Sequence, residues 1–304
     1  MPRKPLPPFR WSYADMVLHR AKRIRDVRDV WWFLRWLAGV VRLRFGASSS
    51  AAAEVRSHTP SVSITMATNR PEMVSWAVDN VRRQNYPHLE LVLTLHGDGF
   101  DDPRVNAELA RLAIPAKTVR VCGAANLGDA LAAATAEAAG ELLTKMDDDD
   151  LYGADHIRQL VSAWRETGAR LVGKLPEWTY LCEHNVTIRR YAGTRARYRY
   201  RMSGGTMMIT RADFDHIGGW RSVPRGVDTW LLDDVIAGGG MVYSAPGCGY
   251  LVIRHGRGHT NDRKEEHYLR LAESVCDGWR PSLAGIPDVA DAGSFPGFDC
   301  RSAP

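Results

Sequence analysis

The chain has 304 residues, 45% hydrophobic and 25% charged, the composition of an ordinary globular protein with room for one large domain or two small ones. Its net charge of +5 is uneven, with 11 Lys/Arg against 3 Asp/Glu in residues 1–50 and 29 against 32 in the rest. The basic character therefore belongs to an N-terminal arm, and a nucleic-acid-binding main domain is excluded. Five scattered cysteines form no C-x-x-C pair, so no zinc site or disulfide framework is indicated and a reducing compartment is expected.

Residues 1–8 are basic and proline-rich and read as disordered. Over residues 12–45, Val17, Ile24, Val27, Trp31, Leu34, Ala38, Val41 and Phe45 recur at helical spacing and predict one continuous apolar stripe. The densest apolar stretch, residues 30–41, contains Arg35 and is too short to span a bilayer. It is also too late and too charged for a signal peptide. Trp31, Trp32 and Trp36 beside arginines suit a helix lying in an anionic membrane interface. The alternative is a helix docked on the protein's own body or on a second subunit in an oligomer. A small-residue linker closes this arm, residues 1–55.

Residues 61–66 predict the first core strand, 67–71 a turn and 72–84 a helix. A second strand at 89–95 leads into the turn His96-Gly97-Asp98-Gly99. A third strand at 119–121, an alanine-rich helix at 129–139 and a fourth strand at 142–146 follow. Strands alternating with helices predict an α/β domain with a mostly parallel sheet. The fourth strand runs into Asp147-Asp148-Asp149-Asp150. Adjacent carboxylates repel, and open α/β sheets hold ligands at the C-terminal ends of their strands. A divalent cation would relieve the repulsion and a phosphate ester would complete its shell; a solvated acidic turn is the alternative. Further on, 171–175 predicts a strand, and the Arg- and Tyr-rich run 189–201 predicts either a solvated loop or an acceptor or phosphate clamp. A short helix at 213–218, a helix from Asp228 to the glycines 238–240, and strands at 241–244 and 250–255 come next. Residues 263–304 predict a helical stretch to Trp279 and a peripheral Pro/Gly-rich tail.

The order of motifs resembles the family 2 glycosyltransferases of the GT-A fold. Residues 63–70 (SITMATNR) resemble the family's first strand and T-x-N-R turn, and 84–91 (QNYPHLEL) its Q-x-Y-x-x-x-E stretch. Residues 139–150 (AGELLTKMDDDD) resemble its lead into the D-x-D-D cluster, 217–220 (IGGW) its I-G-G-(F/W) element, and 227–234 (VDTWLLDD) its E-D-x-x-L segment, with Val227 replacing the usual Glu. The resemblance spans residues 60–260. It implies that Asp147 and Asp149 hold Mn2+ or Mg2+ on a nucleotide-sugar diphosphate. Asp148, at the variable position, then joins Thr68, Asn69 and Arg70 beside the nucleotide. It further implies that Gly205 lies in the sugar-facing strand and that Asp228 is the catalytic base. The competing role for Asp228 is a helix N-cap. His96, Gly97 and Asp98 stand where the family usually has D-D-G-S, which leaves the nucleotide open. His259, or alternatively His255, would complete the metal or diphosphate shell.

The expectation is thus a GT-A domain over residues 56–262 between the arm and a C-terminal segment, 263–304. Its implied activity is inverting, metal-dependent sugar transfer from a nucleotide-sugar donor to the hydroxyl of a glycan, lipid-linked or small-molecule acceptor. That activity implies cell-surface polysaccharide or glycolipid assembly in the cytoplasm or at the inner face of the cell membrane. The rivals are a sugar-phosphate nucleotidyltransferase, whose glycine-rich first turn is missing here, and a non-catalytic binding protein on the same fold.

Overall fold

The computed structural model describes residues 13–45, 58–191, 197–198, 200–255, 259, 263–287 and 289. The predicted disordered start, the linker and the end of the Pro/Gly-rich tail lie outside them. Nine helices are defined among the described residues: α1 (Tyr13–Ala21), α2 (Val27–Phe45), α3 (Val74–Arg82), α4 (Asp102–Leu109), α5 (Leu127–Glu137), α6 (His156–Thr167), α7 (Arg211–His216), α8 (Val227–Ala237) and α9 (Glu265–Leu269). The strands are β1 (Val62–Thr68), β2 (Leu89–His96), β3 (Ala116–Val121), β4 (Leu142–Lys145), β5 (Leu151–Tyr152), β6 (Leu171–Lys174), β7 (Trp178–Leu181), β8 (Val186–Arg189), β9 (Arg197–Tyr198), β10 (Met208–Thr210), β11 (Val242–Ala245), β12 (Tyr250–Arg254) and β13 (Ser274–Asp277).

An eight-stranded sheet runs in the order β3-β2-β1-β4-β10-β6-β11-β9. β1 pairs in parallel with β2 and β4, and β2 with β3, while β10 and β9 run antiparallel to their neighbours. β1, β2 and β4 are buried on both faces, which is why they read as near-continuous apolar runs. One core layer joins Ile64, Met66, Leu91 and Leu93 to Val78, Leu160 and Trp164 of the flanking helices. The parallel register brings the C-terminal ends of β1, β2 and β4 to one edge. A second, five-stranded sheet, β13-β8-β7-β12-β5, stands beside it.

The arm differs from the single predicted stripe. It forms two helices, broken where Asp26 accepts the backbone N–H groups of Arg28 and Asp29 and so starts α2 afresh. The break resets the helical phase, and the docked face is Met16, Arg20, Trp36, Val40 and Leu43. From Val27 to Val41 the predicted stripe faces outward, with Trp31 at 66% exposure. The α2–α8 crossing is close at Gly39, where a Cβ would stand 2.6 Å from Ile236 Cγ2. Two acids of α8 fasten the arm. Buried Asp233 accepts from Arg20, Arg23 and the Trp36 indole, and Asp234 accepts from the Trp32 indole and Arg221. Indole and guanidinium donors thus selected the buried face, a preference that apolar spacing does not register.

The C-terminal segment also departs from expectation. Its helix ends at Leu269, and β13 then pairs antiparallel with β8. Ala284, Ile286 and Val289 pack against Tyr180 and Leu251, so the start of the tail belongs to a core. Among the described residues no helix is long and apolar enough to cross a membrane.

Candidate active site

A cavity of about 300 Å³ opens at the strand ends. Thr68, Asn69, Arg70, His96, Asp147, Asp148, Asp149, Asp228 and His259 all line it, although they come from five separate stretches of chain. Asp98 does not line it: Gly97, at φ 101°, turns the chain so that Asp98 is exposed. Gly205 is buried beneath the cavity instead of lining it, and a Cβ there would come within 2.7 Å of Asp147 Oδ2.

The four consecutive aspartates separate into four environments. Asp147 ion-pairs with Lys145, whose Nζ also lies 3.3 Å from Asp228 Oδ1. Burial raises the Asp147 carboxyl to about 6, with Asp228 and Asp149 adding to the effect and Lys145 opposing it. Burial would lower the Lys145 ammonium, but Asp147 and Asp228 outweigh it and hold the group above its ordinary range. Asp148 turns the other way, accepting from the Thr68 hydroxyl at 2.5 Å and from the Arg70 guanidinium. It therefore braces the first-strand turn, and its carboxylate is already engaged by two of the residues expected beside the nucleotide.

Asp149 faces two imidazoles, His255 Nε2 at 3.1 Å and His259 Nδ1 at 3.2 Å, with Arg70 at 2.9 Å. Burial works against its charge, but the hydrogen bonds to His255 and His259 and the Arg70 guanidinium win and hold it well below the usual carboxylate range. One donor atom each from Asp149, His255 and His259 lie within 4.8 Å of one another, a geometry able to hold a cation. Asp147 is not part of that group, because its carboxylate is turned toward Lys145. Asp150 is structural. It accepts from the Tyr250 hydroxyl at 2.6 Å and the Ile253 amide, and its carbonyl accepts from Trp76 and Asn80. Burial, with Asp149 and Asp147 close by, raises its carboxyl well above the ordinary value.

Asp228 is the second residue of α8, on the cavity wall. It is not the N-cap: Gly226 holds that position in the left-handed region at φ 72°. Glycine 204 makes room for it, since a Cβ there would overlap the Asp228 carboxylate. Asp233 and Asp234 point to the arm and are thereby separated from this site.

Lys145 and Arg254 were not in the expected set of site residues, and His255 was only the alternative to His259, yet the structure brings all three here. A lysine in an otherwise apolar strand next to aspartates was a readable signal, because a buried lysine needs a partner. Arg254 ends β12 and His255 follows it, and the second sheet's pairing brings Arg254 to the cavity wall and His255 to Asp149.

The profile of Glycosyl transferase family 2 matches residues 63–227. No curated protein matches the sequence. Among solved structures, the fold is shared with residues 1–349 of S. aureus TarS in complex with UDP-GlcNAc, at 13% identity and TM-score 0.55. That alignment covers 69% of this chain and 64% of the other, so this chain spans less than two thirds of that relative. The fold is also shared with the Pyrobaculum calidifontis mannosyltransferase PcManGT in complex with GDP-Man and Mn2+, at 17% identity and TM-score 0.51, covering 80% of this chain and 69% of that one. A profile covering just over half of the chain, from β1 through the aspartate cluster to the start of α8, shows that this protein belongs to glycosyl transferase family 2.

Proposed function

We propose that the protein is an inverting, metal-dependent glycosyltransferase that moves a sugar from a nucleotide-diphosphate donor to an acceptor hydroxyl. The observation that carries this reading is one cavity lined by Asp228, Asp149 and His259, with His255 paired to Asp149 beside it. The chemistry of that donor set fits a divalent cation, and its two imidazoles favour Mn2+ over Mg2+, whose preferred shell is all oxygen. A cation bound there supplies charge neutralisation for the departing diphosphate. Arg70, braced by Asp148, lies where its guanidinium can hold phosphate oxygens as well. His96 Nε2 is buried with no hydrogen-bond partner among the described residues, and a bound base or ribose would satisfy it.

Asp228 acts as general base. The acceptor oxygen bonds to the anomeric carbon, its proton passes to an Asp228 carboxylate oxygen, and the carbon–oxygen bond to the diphosphate breaks on the opposite face. Lys145 aims that carboxylate through its ion pair. Nucleotide sugars bound to the two structural relatives support the donor class.

The test is sugar transfer from a panel of nucleotide sugars with Mn2+ and with chelator. Asp228→Asn should keep metal-dependent nucleotide binding and lose transfer by about 10²–10⁴-fold. Near-normal transfer by this variant, or equal nucleotide binding with chelator, would overturn the reading.

The outward face of the arm supports a further placement, peripheral attachment at the inner face of an anionic membrane. Trp31, Leu34 and Val41 are exposed there, and Arg28, Arg35 and Arg42 are exposed on the same helix. Trp31→Ser with Leu34→Ser should release the protein from anionic vesicles; unchanged co-sedimentation would remove this placement.

A further inference from the structure

A second cavity, of about 450 Å³, lies between the arm and the start of α8. Arg20, Arg23, Arg201, Arg225 and Arg263 line it together with His19, and among the described residues no carboxylate lines it. Asp233 pairs with Arg20 and Arg23 behind the wall, the Arg263 guanidinium contacts the His267 ring, and Arg201, Arg225 and Arg263 are all exposed at the rim. Burial and the neighbouring Arg23, Arg20 and Lys22 push the His19 imidazole below its usual value, as a positive potential does. Gly226 belongs to the walls of both this cavity and the donor cavity. Asp228 on one side and Thr229 on the other are adjacent residues of α8.

The arrangement has a chemical consequence. Guanidinium forks match phosphate oxygens in shape and charge, and several converging on one concave site select a phosphate ester over a neutral glycan. A cavity of this size accommodates such a group with the residue that carries it. We propose that it is the acceptor site, and that the acceptor bears a phosphate: the arginines hold the phosphate while the adjoining hydroxyl reaches past Gly226 to Asp228. This rests on the assignment of Asp228 as the base. The arm is then one wall of the substrate site, and Tyr200, Arg201 and Met202 supply another.

The experiment uses the full chain and two probes, in chelator so that metal-bound nucleotide chemistry is silent. One is inorganic phosphate, followed by calorimetry. The other is phosphatidylcholine vesicles with and without phosphatidic acid, followed by co-sedimentation. Arg201→Ala and Arg225→Ala, each checked for an unchanged melting transition, should each weaken phosphate binding or phosphatidic-acid-dependent sedimentation by about tenfold. Asp149→Asn should bind both probes as wild type does. A loss confined to free phosphate identifies a soluble phosphorylated acceptor, and a loss confined to the vesicles identifies a lipid-borne one. Binding of neither probe by wild type, retention by both arginine variants, or loss in Asp149→Asn would overturn the proposal. Manganese-dependent nucleotide stabilisation is measured separately, and its absence from wild type would count against the enzymatic reading without touching the anion site.

Discussion

Replacing Gly204 by alanine is the sharpest test of how the site is built, because it leaves every proposed reactive group in place. A methyl at position 204 would stand 2.8 Å from Asp228 Cβ and closer still to its carboxylate, well inside ordinary van der Waals contact. The obstructed atoms belong to a side chain at the start of α8, so the side chain yields and the backbone need not. The carboxylate must then retreat by about an ångström or more, which also lengthens its 3.3 Å pairing with Lys145. A displacement of about 1 Å from a productive geometry costs on the order of 10²-fold in rate. Overpacking costs about 1–3 kcal/mol, which the fold survives. Gly204→Ala should therefore melt only a few degrees lower, bind donor nucleotide and Mn2+ as wild type does, and transfer sugar about 10²-fold more slowly. The assays are single-turnover transfer and a nucleotide thermal shift on the same preparation. Wild-type turnover in a folded Gly204→Ala protein would show that the position of Asp228 does not matter to the reaction.

Asp149→Asn should abolish the Mn2+-dependent part of nucleotide stabilisation, worth about 2.7 kcal/mol at a hundredfold excess over Kd. That corresponds to a melting shift of roughly 5–10 °C, and an undiminished shift would place the cation elsewhere. Asp233→Ala strands the buried Arg20 charge and should cost about 3–5 kcal/mol in denaturant unfolding while metal-dependent nucleotide binding persists. A loss under about 1 kcal/mol would mean that this pair does not hold the arm. Lys174 is buried, with its ammonium on Gln159 Oε1 and the Cys248 carbonyl, and burial lowers it from 10.5 to about 7. Between pH 7 and 10.5 the unfolded chain therefore binds more protons than the folded one, and stability should rise with pH by up to about 1.4 kcal/mol per unit. Lys145, raised instead of lowered, adds nothing to that window. Lys174→Met should flatten the rise between pH 7 and 9, and a flat wild-type profile would contradict the depressed lysine.

Local pattern was enough for most of the larger sheet. β1, β2 and β4 fall within two residues of where their apolar runs predict them, and the family resemblance implied the grouping of Thr68, His96 and Asp147 that the cavity shows. The hairpin of β7 and β8 was not anticipated: its strands are four residues each and carry no long apolar run, and their turn relies on Asn185 at φ 47°. Which face of α2 docks was not legible for a different reason. Spacing of apolar residues shows a stripe but not which stripe finds partners, and here the partners are two aspartates about two hundred residues away.

The sequence by itself determined the α/β order, the acidic cluster at a strand end and the family. Which aspartate does what was decided only by the tertiary structure. Four adjacent carboxylates are chemically alike along the chain. They become different because Asp148 meets Thr68 and Arg70, Asp149 meets His255 and His259, Asp150 meets Tyr250, and Asp147 shares Lys145 with Asp228. Two of those partnerships depend on β12, which reaches the cluster by pairing with β5 and β7 in the second sheet. A carboxylate's charge and direction are set by the groups within a few ångströms of it, and folding brings those groups from up to 110 residues away.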